Sequence, residues 1–88
     1  MRREMTIVNK LGLHARAAAK LVNTAAGFRS EIKIHKDGQE VNAKSIMGVM
    51  MLAASQGTVV AVEAEGPDAE QALDGLQALI LERFGEPE

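Results

Sequence analysis

Phe28-Arg29-Ser30-Glu31-Ile32-Lys33-Ile34-His35-Lys36-Asp37-Gly38 is the stretch that decides the fold. On an extended chain, Phe28, Ser30, Ile32 and Ile34 fall on one side. Arg29, Glu31, Lys33 and His35 fall on the other. A period of two with one apolar side marks a half-buried strand. Asp37-Gly38 takes positive φ at both positions readily, which is the signal of a type I′ hairpin. Glu40 to Ala43 follows as the partner strand, with Val41 and Ala43 inward. The sheet is therefore antiparallel here, with one face for a core and one for water.

Upstream, Met5-Thr6-Ile7-Val8 reads as a first strand, rich in β-branched residues. Asn9 to His14 is a loop that turns at Gly12. Ala15, Ala18, Ala19, Val22, Ala25 and Ala26 recur at helical spacing and predict one apolar face, with Arg16, Lys20 and Asn23 off it. Gly27 is the C′ residue that ends this helix. Downstream, Ser45 to Ala53 predicts a short helix capped by Ser45, with Val49, Leu52 and Ala53 toward the core. Ser55-Gln56-Gly57 breaks it. Thr58 to Glu65 is another strand, with Val60, Val62 and Ala64 on one face.

Asp68, with Gln71 three residues on, resembles a capping box for a last helix. That helix carries the stripe Ala69, Ala72, Leu73, Leu76, Leu79, Ile80 and Phe84, and its Gly75 costs about 1 kcal/mol relative to Ala. Residues 85–88 are expected as a flexible tail. The order β-α-β-β-α-β-α defines an α+β fold: one four-stranded antiparallel sheet with three helices on one side. Residues 1–88 form one domain.

Composition narrows the function. The formal net charge is −2, which argues against nucleic-acid binding. Phe28 and Phe84 are the only aromatics, so no stacking platform exists for single strands. The absence of cysteine removes disulfides, thiolate metal sites and thiol nucleophiles. Arg2 and Arg3 are not followed by an apolar run, so no secretory leader is expected. The longest apolar run, Ile46 to Ala54, is too short to span a bilayer and contains Gly48. The default location is the cytoplasm. No phosphate loop, zinc-protease helix or dinucleotide fingerprint is present, and the acidic residues form no cluster. No metal or cofactor is expected, and a self-sufficient enzyme is not.

Two histidines remain. His35 lies on the polar side of its strand and reads as a solvated surface residue. His14 stands where a loop meets a helix, in Gly12-Leu13-His14-Ala15-Arg16. Its plain reading is a polar residue near a helix start. The physics of the spot favours more. A helix start offers unpaired backbone amides, here those of Ala15, Arg16 and Ala17, and about half a positive charge. That suits a phosphate dianion and keeps imidazole neutral and nucleophilic. Arg16 adds a fixed cation able to clamp phosphoryl oxygens. In the short helix, Met47, Met50 and Met51 form a second apolar stripe. Both faces of that helix cannot be buried in so thin a domain, so the methionines read as a partner-docking patch. Ser45 also has a plain reading as a helix cap, but a phosphate there is compatible with the helix dipole.

Gly-Leu-His-Ala-Arg followed by Lys-Ser-Ile-Met-Gly-Val-Met resembles the histidine-containing phosphocarrier (HPr) family of the bacterial phosphoenolpyruvate phosphotransferase system. The similarity runs from about Thr6 to Phe84. It implies an open-faced β-sandwich in which His14 takes phosphate from enzyme I and passes it to an enzyme IIA domain. Arg16 would assist transfer, and Ser45 would be the regulatory serine modified by HPr kinase/phosphorylase. Ile46, Met47 and Met50 would dock partners. The family usually has Pro after the motif arginine, where this chain has Ala17. The alternatives are a carrier in a nitrogen-related or regulatory branch, and a Ser45-switched interaction module with His14 idle. A small-molecule-binding regulatory domain is a third, weakened by the lack of a deep pocket in prospect. A monomer is expected, since a relay protein must show one patch to successive partners.

Overall fold

In the computed structural model, which describes residues 1–88, the elements follow the expected order. They are β1 (Arg2–Thr6), α1 (Ala15–Ala26), β2 (Glu31–Lys36), β3 (Gln39–Asn42), α2 (Ile46–Met51), β4 (Val59–Glu65) and α3 (Ala69–Leu81). The sheet runs β1-β4-β2-β3, antiparallel throughout. Its register sets Met5 opposite Val60, Ile32 opposite Ala64, and Ile34 opposite both Val62 and Val41. Every apolar side chain of that set therefore points to one face, where the helices lie. At the hairpin, Asp37 and Gly38 have φ of 49° and 82°, as a type I′ turn requires.

The core joins the sheet to all three helices. The face of α1 differs from the expected one. Ala17, Ala18, Leu21 and Ala25 are buried, while Ala15 and Ala26 are exposed and Ala19 and Val22 are half-buried. Alanines surround much of this helix, so their spacing fits more than one face. Leu21 decides between them, because burying a leucine removes far more apolar area from water than burying an alanine.

Several boundaries and caps also differ. β1 starts earlier than expected because the long central β4 offers partners back to Glu63, opposite Arg2. Gly27 ends α1 in the right-handed region (φ −74°, ψ −9°) and not as a left-handed cap. Its N–H finds an acceptor one turn back, the Thr24 carbonyl at 3.1 Å, without reversing the chain. Ala53 is exposed with φ of 50°, and Ala54 takes the core place expected for it. α2 ends two residues earlier than read, at Met51, so the chain has already left the helix there.

Asp68 makes no cap bond within α3. Its carboxylate instead accepts the amides of Arg29 (2.8 Å) and Ser30 (2.9 Å) and the Ser30 hydroxyl (2.5 Å). Those three donors outcompete a single first-turn amide. Leu79 is only half-buried, and Phe84 is fully buried but lies beyond α3. It sits in a tight turn in which Arg83, Phe84 and Gly85 have φ of 57°, 54° and 79°. That turn reverses the chain, and residues 85–88, expected as a flexible tail, return over the start of α1.

Candidate functional site

Between β1 and α1 the loop is held from two sides. Gly12 has φ of +66°, and a Cβ on it would lie 2.5 Å from the Ala54 carbonyl oxygen. Only glycine fits both that conformation and that approach. The Leu13 amide donates to the same carbonyl at 2.8 Å. Beneath the loop, Asn9 is fully buried, and its Nδ2 donates to the Gly12 carbonyl at 2.9 Å.

This anchoring delivers His14 to the N-cap of α1, with φ of −71° and ψ of 177°. Its carbonyl accepts the Ala18 amide at 2.8 Å, the first bond of the helix. Its Nδ1 accepts the Arg16 amide at 3.3 Å. Nδ1 thus carries a lone pair and, on a neutral ring, Nε2 carries the proton. Nε2 donates to the carboxylate of Glu86, on the returning segment. The ring stays 30% exposed, enough for an incoming group to reach it. The first-turn amides of Ala15 and Ala17 have no acceptor within the helix.

Around the ring lies an open depression of about 540 Å³, lined by Leu11, His14, Ala15, Arg16, Glu86, Pro87 and Glu88. Arg16 is exposed there and forms no ion pair. Ala17 is fully buried and leaves no surface in the depression. Glu86 is held below the ordinary carboxylate value. The hydrogen bond from Asn9 contributes most, then that from His14, with the charge of Lys20 adding; partial desolvation opposes them.

The second segment is placed next to the first, since α2 packs on α1. Ser45 caps α2, its Oγ accepting the Gly48 amide at 3.2 Å. Val49 and Leu52 are buried. Ile46, Met47, Met50 and Met51 are exposed, Met47 and Met51 by 71% and 70%. No element of this chain covers that stripe.

His35 is on the sheet's open face, away from this depression. It is not freely solvated: Nε2 stands 3.2 Å from Glu63 and Nδ1 3.7 Å from Glu40. No group of histidine, cysteine, aspartate or glutamate side chains is arranged to hold a metal ion. No helix is long and apolar enough to cross a membrane. Asn9 and Glu86 escape a reading of the sequence alone. The available signal was the pair Phe84-Gly85: an apolar residue that needs burial, then a glycine that lets the chain turn back.

The structure is thus a small α+β domain with a capping histidine in an open depression and an uncovered apolar stripe on the helix packed against α1. The family described as "PTS HPr component phosphorylation site" matches residues 1–82. Phosphocarrier protein HPr of Cupriavidus necator is 57% identical over 100% of this chain and 99% of its own. Phosphocarrier protein NPr of Shewanella violacea is 42% identical over 98% of this chain and 94% of its own. The crystal structure of HPr from Thermoanaerobacter tengcongensis superposes with a TM-score of 0.96 at 51% identity, covering 100% of this chain and 99% of that one. The chain belongs to the HPr family of the phosphotransferase system, whose members carry phosphoryl groups and are not enzymes.

Proposed function

We propose that Nδ1 of His14 takes a phosphoryl group from the phosphohistidine of enzyme I and passes it to an enzyme IIA domain, in the sugar-uptake branch. The observation that carries this reading is the lone pair of Nδ1, aimed at the start of α1. In the first step that lone pair forms the new P–N bond. The donor's N–P bond breaks, and its electron pair returns to the donor imidazole. The phosphoryl oxygens then meet the amides of Ala15 and Arg16 at the positive end of the helix, with the buried amide of Ala17 behind them. The guanidinium of Arg16, free of any carboxylate, adds charge-assisted bonds. Transfer to the acceptor reverses these events.

The exposed stripe Ile46, Met47, Met50 and Met51 docks both partners in turn, since flexible methionines adapt to different surfaces. Phosphorylation of Ser45 by HPr kinase/phosphorylase would set a dianion at the edge of that stripe and weaken docking. The carrier works as a cytoplasmic monomer. Greater identity to an HPr than to an NPr supports the sugar branch over the nitrogen-related one.

The test is phosphorylation with phosphoenolpyruvate and catalytic enzyme I, with His14→Ala alongside. An acid-labile phosphate on His14, absent from the variant, is the expected result. A native protein that takes no phosphate from a proven active donor refutes the reading.

A further inference from the structure

The segment beyond α3 is tied to the His14 loop at several points. Lys20 Nζ donates to the Phe84 carbonyl at 2.6 Å. The Lys10 amide donates to the Glu88 carbonyl at 3.1 Å. Between them the Glu86 side chain is 11% exposed. Its Oε1 accepts Asn9 Nδ2 at 2.9 Å, and its Oε2 accepts His14 Nε2. Asn9 cannot turn over. Its Nδ2 also serves the Gly12 carbonyl, so a flipped amide would set Oδ1 against two acceptors. Oδ1 goes unpartnered in the buried site to keep this orientation.

We propose that the Asn9–Glu86 pair sets the tautomer of His14, holding its proton on Nε2 and leaving the lone pair on Nδ1. Glu86 is then a positioning residue for phosphoryl transfer, an inference that rests on the carrier reading above. A carboxylate only accepts, so the Nε2 beside it must donate. A neutral imidazole with its proton on Nε2 has its lone pair on Nδ1. When Nδ1 forms the P–N bond and the donor's N–P bond breaks, the ring becomes cationic and keeps its Nε2 proton. Glu86 faces that charge directly, as a buried carboxylate does for a catalytic imidazolium. The other charges around the ring are Arg16 and Lys20 from α1, and Lys10 and Glu88, paired with each other at 3.3 Å.

Glu86→Gln keeps the size but has one accepting and one donating end. Asn9 is fixed as a donor, so the glutamine carbonyl turns to Asn9 and its NH₂ faces Nε2. The ring then accepts at Nε2 and carries its proton on Nδ1, where the lone pair is lost, at the cost of the long, weak 3.3 Å bond from the Arg16 amide. The experiment is ¹⁵N NMR of the ring at alkaline pH on native protein, Glu86→Gln and the control Glu70→Gln, an exposed carboxylate in the first turn of α3. Rates of phosphorylation by enzyme I are measured on the same samples.

The expected result is the Nε2–H tautomer in native protein and control, and predominantly Nδ1–H in Glu86→Gln. Phosphorylation should slow on the order of tenfold or more in Glu86→Gln alone. The same tautomer in native and Glu86→Gln protein overturns the proposal, as does an inverted tautomer with an unchanged rate. Failure of native protein to take phosphate overturns the carrier reading instead. The tautomers, read on unphosphorylated protein, still decide whether Asn9 and Glu86 set the ring.

Discussion

The ring of His14 is held from both sides at once: an amide of its own helix on Nδ1, and a carboxylate 72 residues away in sequence on Nε2. The first contact is local and legible. Gly-Leu-His-Ala-Arg shows a turn, a histidine and a helix start within five residues. The second is not legible, because it depends on a reversal at Arg83 and Phe84, where non-glycine residues adopt positive φ. Such conformations cost about 1 kcal/mol or more each and persist only when tertiary packing demands them. Here the full burial of Phe84 supplies that demand.

The same scale holds the departure at Ala17. It is the third residue of α1, where proline is tolerated because the N–H has no helical acceptor. Ala17→Pro should therefore leave the helix intact while removing an N–H without helical acceptor from behind His14. We expect a changed hydrolysis half-life of phosphorylated His14, followed as acid-labile phosphate over time. An unchanged half-life would assign residue 17 to packing alone.

At the scale of elements, alternation proved more informative than helical spacing. β2 shows its burial pattern directly, because each position of a strand has one of two faces. α1 does not, because alanines populate most of its circumference. α3 adds a case where local propensity and packing disagree. Gly75 weakens the helix by about 1 kcal/mol relative to alanine. Yet a Cβ there would lie 2.9 Å from Cζ of Phe28, so the glycine makes room for that ring against α3. The two effects separate in a double-mutant cycle. In a Phe28→Leu background, which has no ring at that point, Gly75→Ala should stabilise by about 1 kcal/mol in urea denaturation. In the native background the gain should be absent, since displacing the ring costs a similar amount. An equal gain in both backgrounds would show that the ring moves freely and the glycine has no packing role.

Across the whole molecule, two carboxylates fasten segments that are remote in the chain. Asp68, at the start of α3, binds the turn between α1 and β2 through Arg29 and Ser30. Glu86 binds the returning segment to the His14 loop through Asn9 and His14. Both are held below their ordinary values of 3.8 and 4.5. The Ser30 hydroxyl contributes most at Asp68, and the Asn9 amide contributes most at Glu86. A carboxyl with a depressed folded value binds fewer protons folded than unfolded. Its contribution is complete above the unfolded value and fades as pH falls through the folded one. Stability should therefore be insensitive to these groups near neutrality and decline from about pH 4.5 downward. Asp68→Asn keeps the shape but removes the charge that its three donors favour. Urea midpoints for native protein and Asp68→Asn should lie furthest apart near pH 7. They should draw together on acidification, as protonation makes the native Asp68 as neutral as the asparagine. A separation that stays constant down to strong acid would mean that Asp68 acts through shape alone, and that the joint between α3 and β2 does not depend on its ionisation.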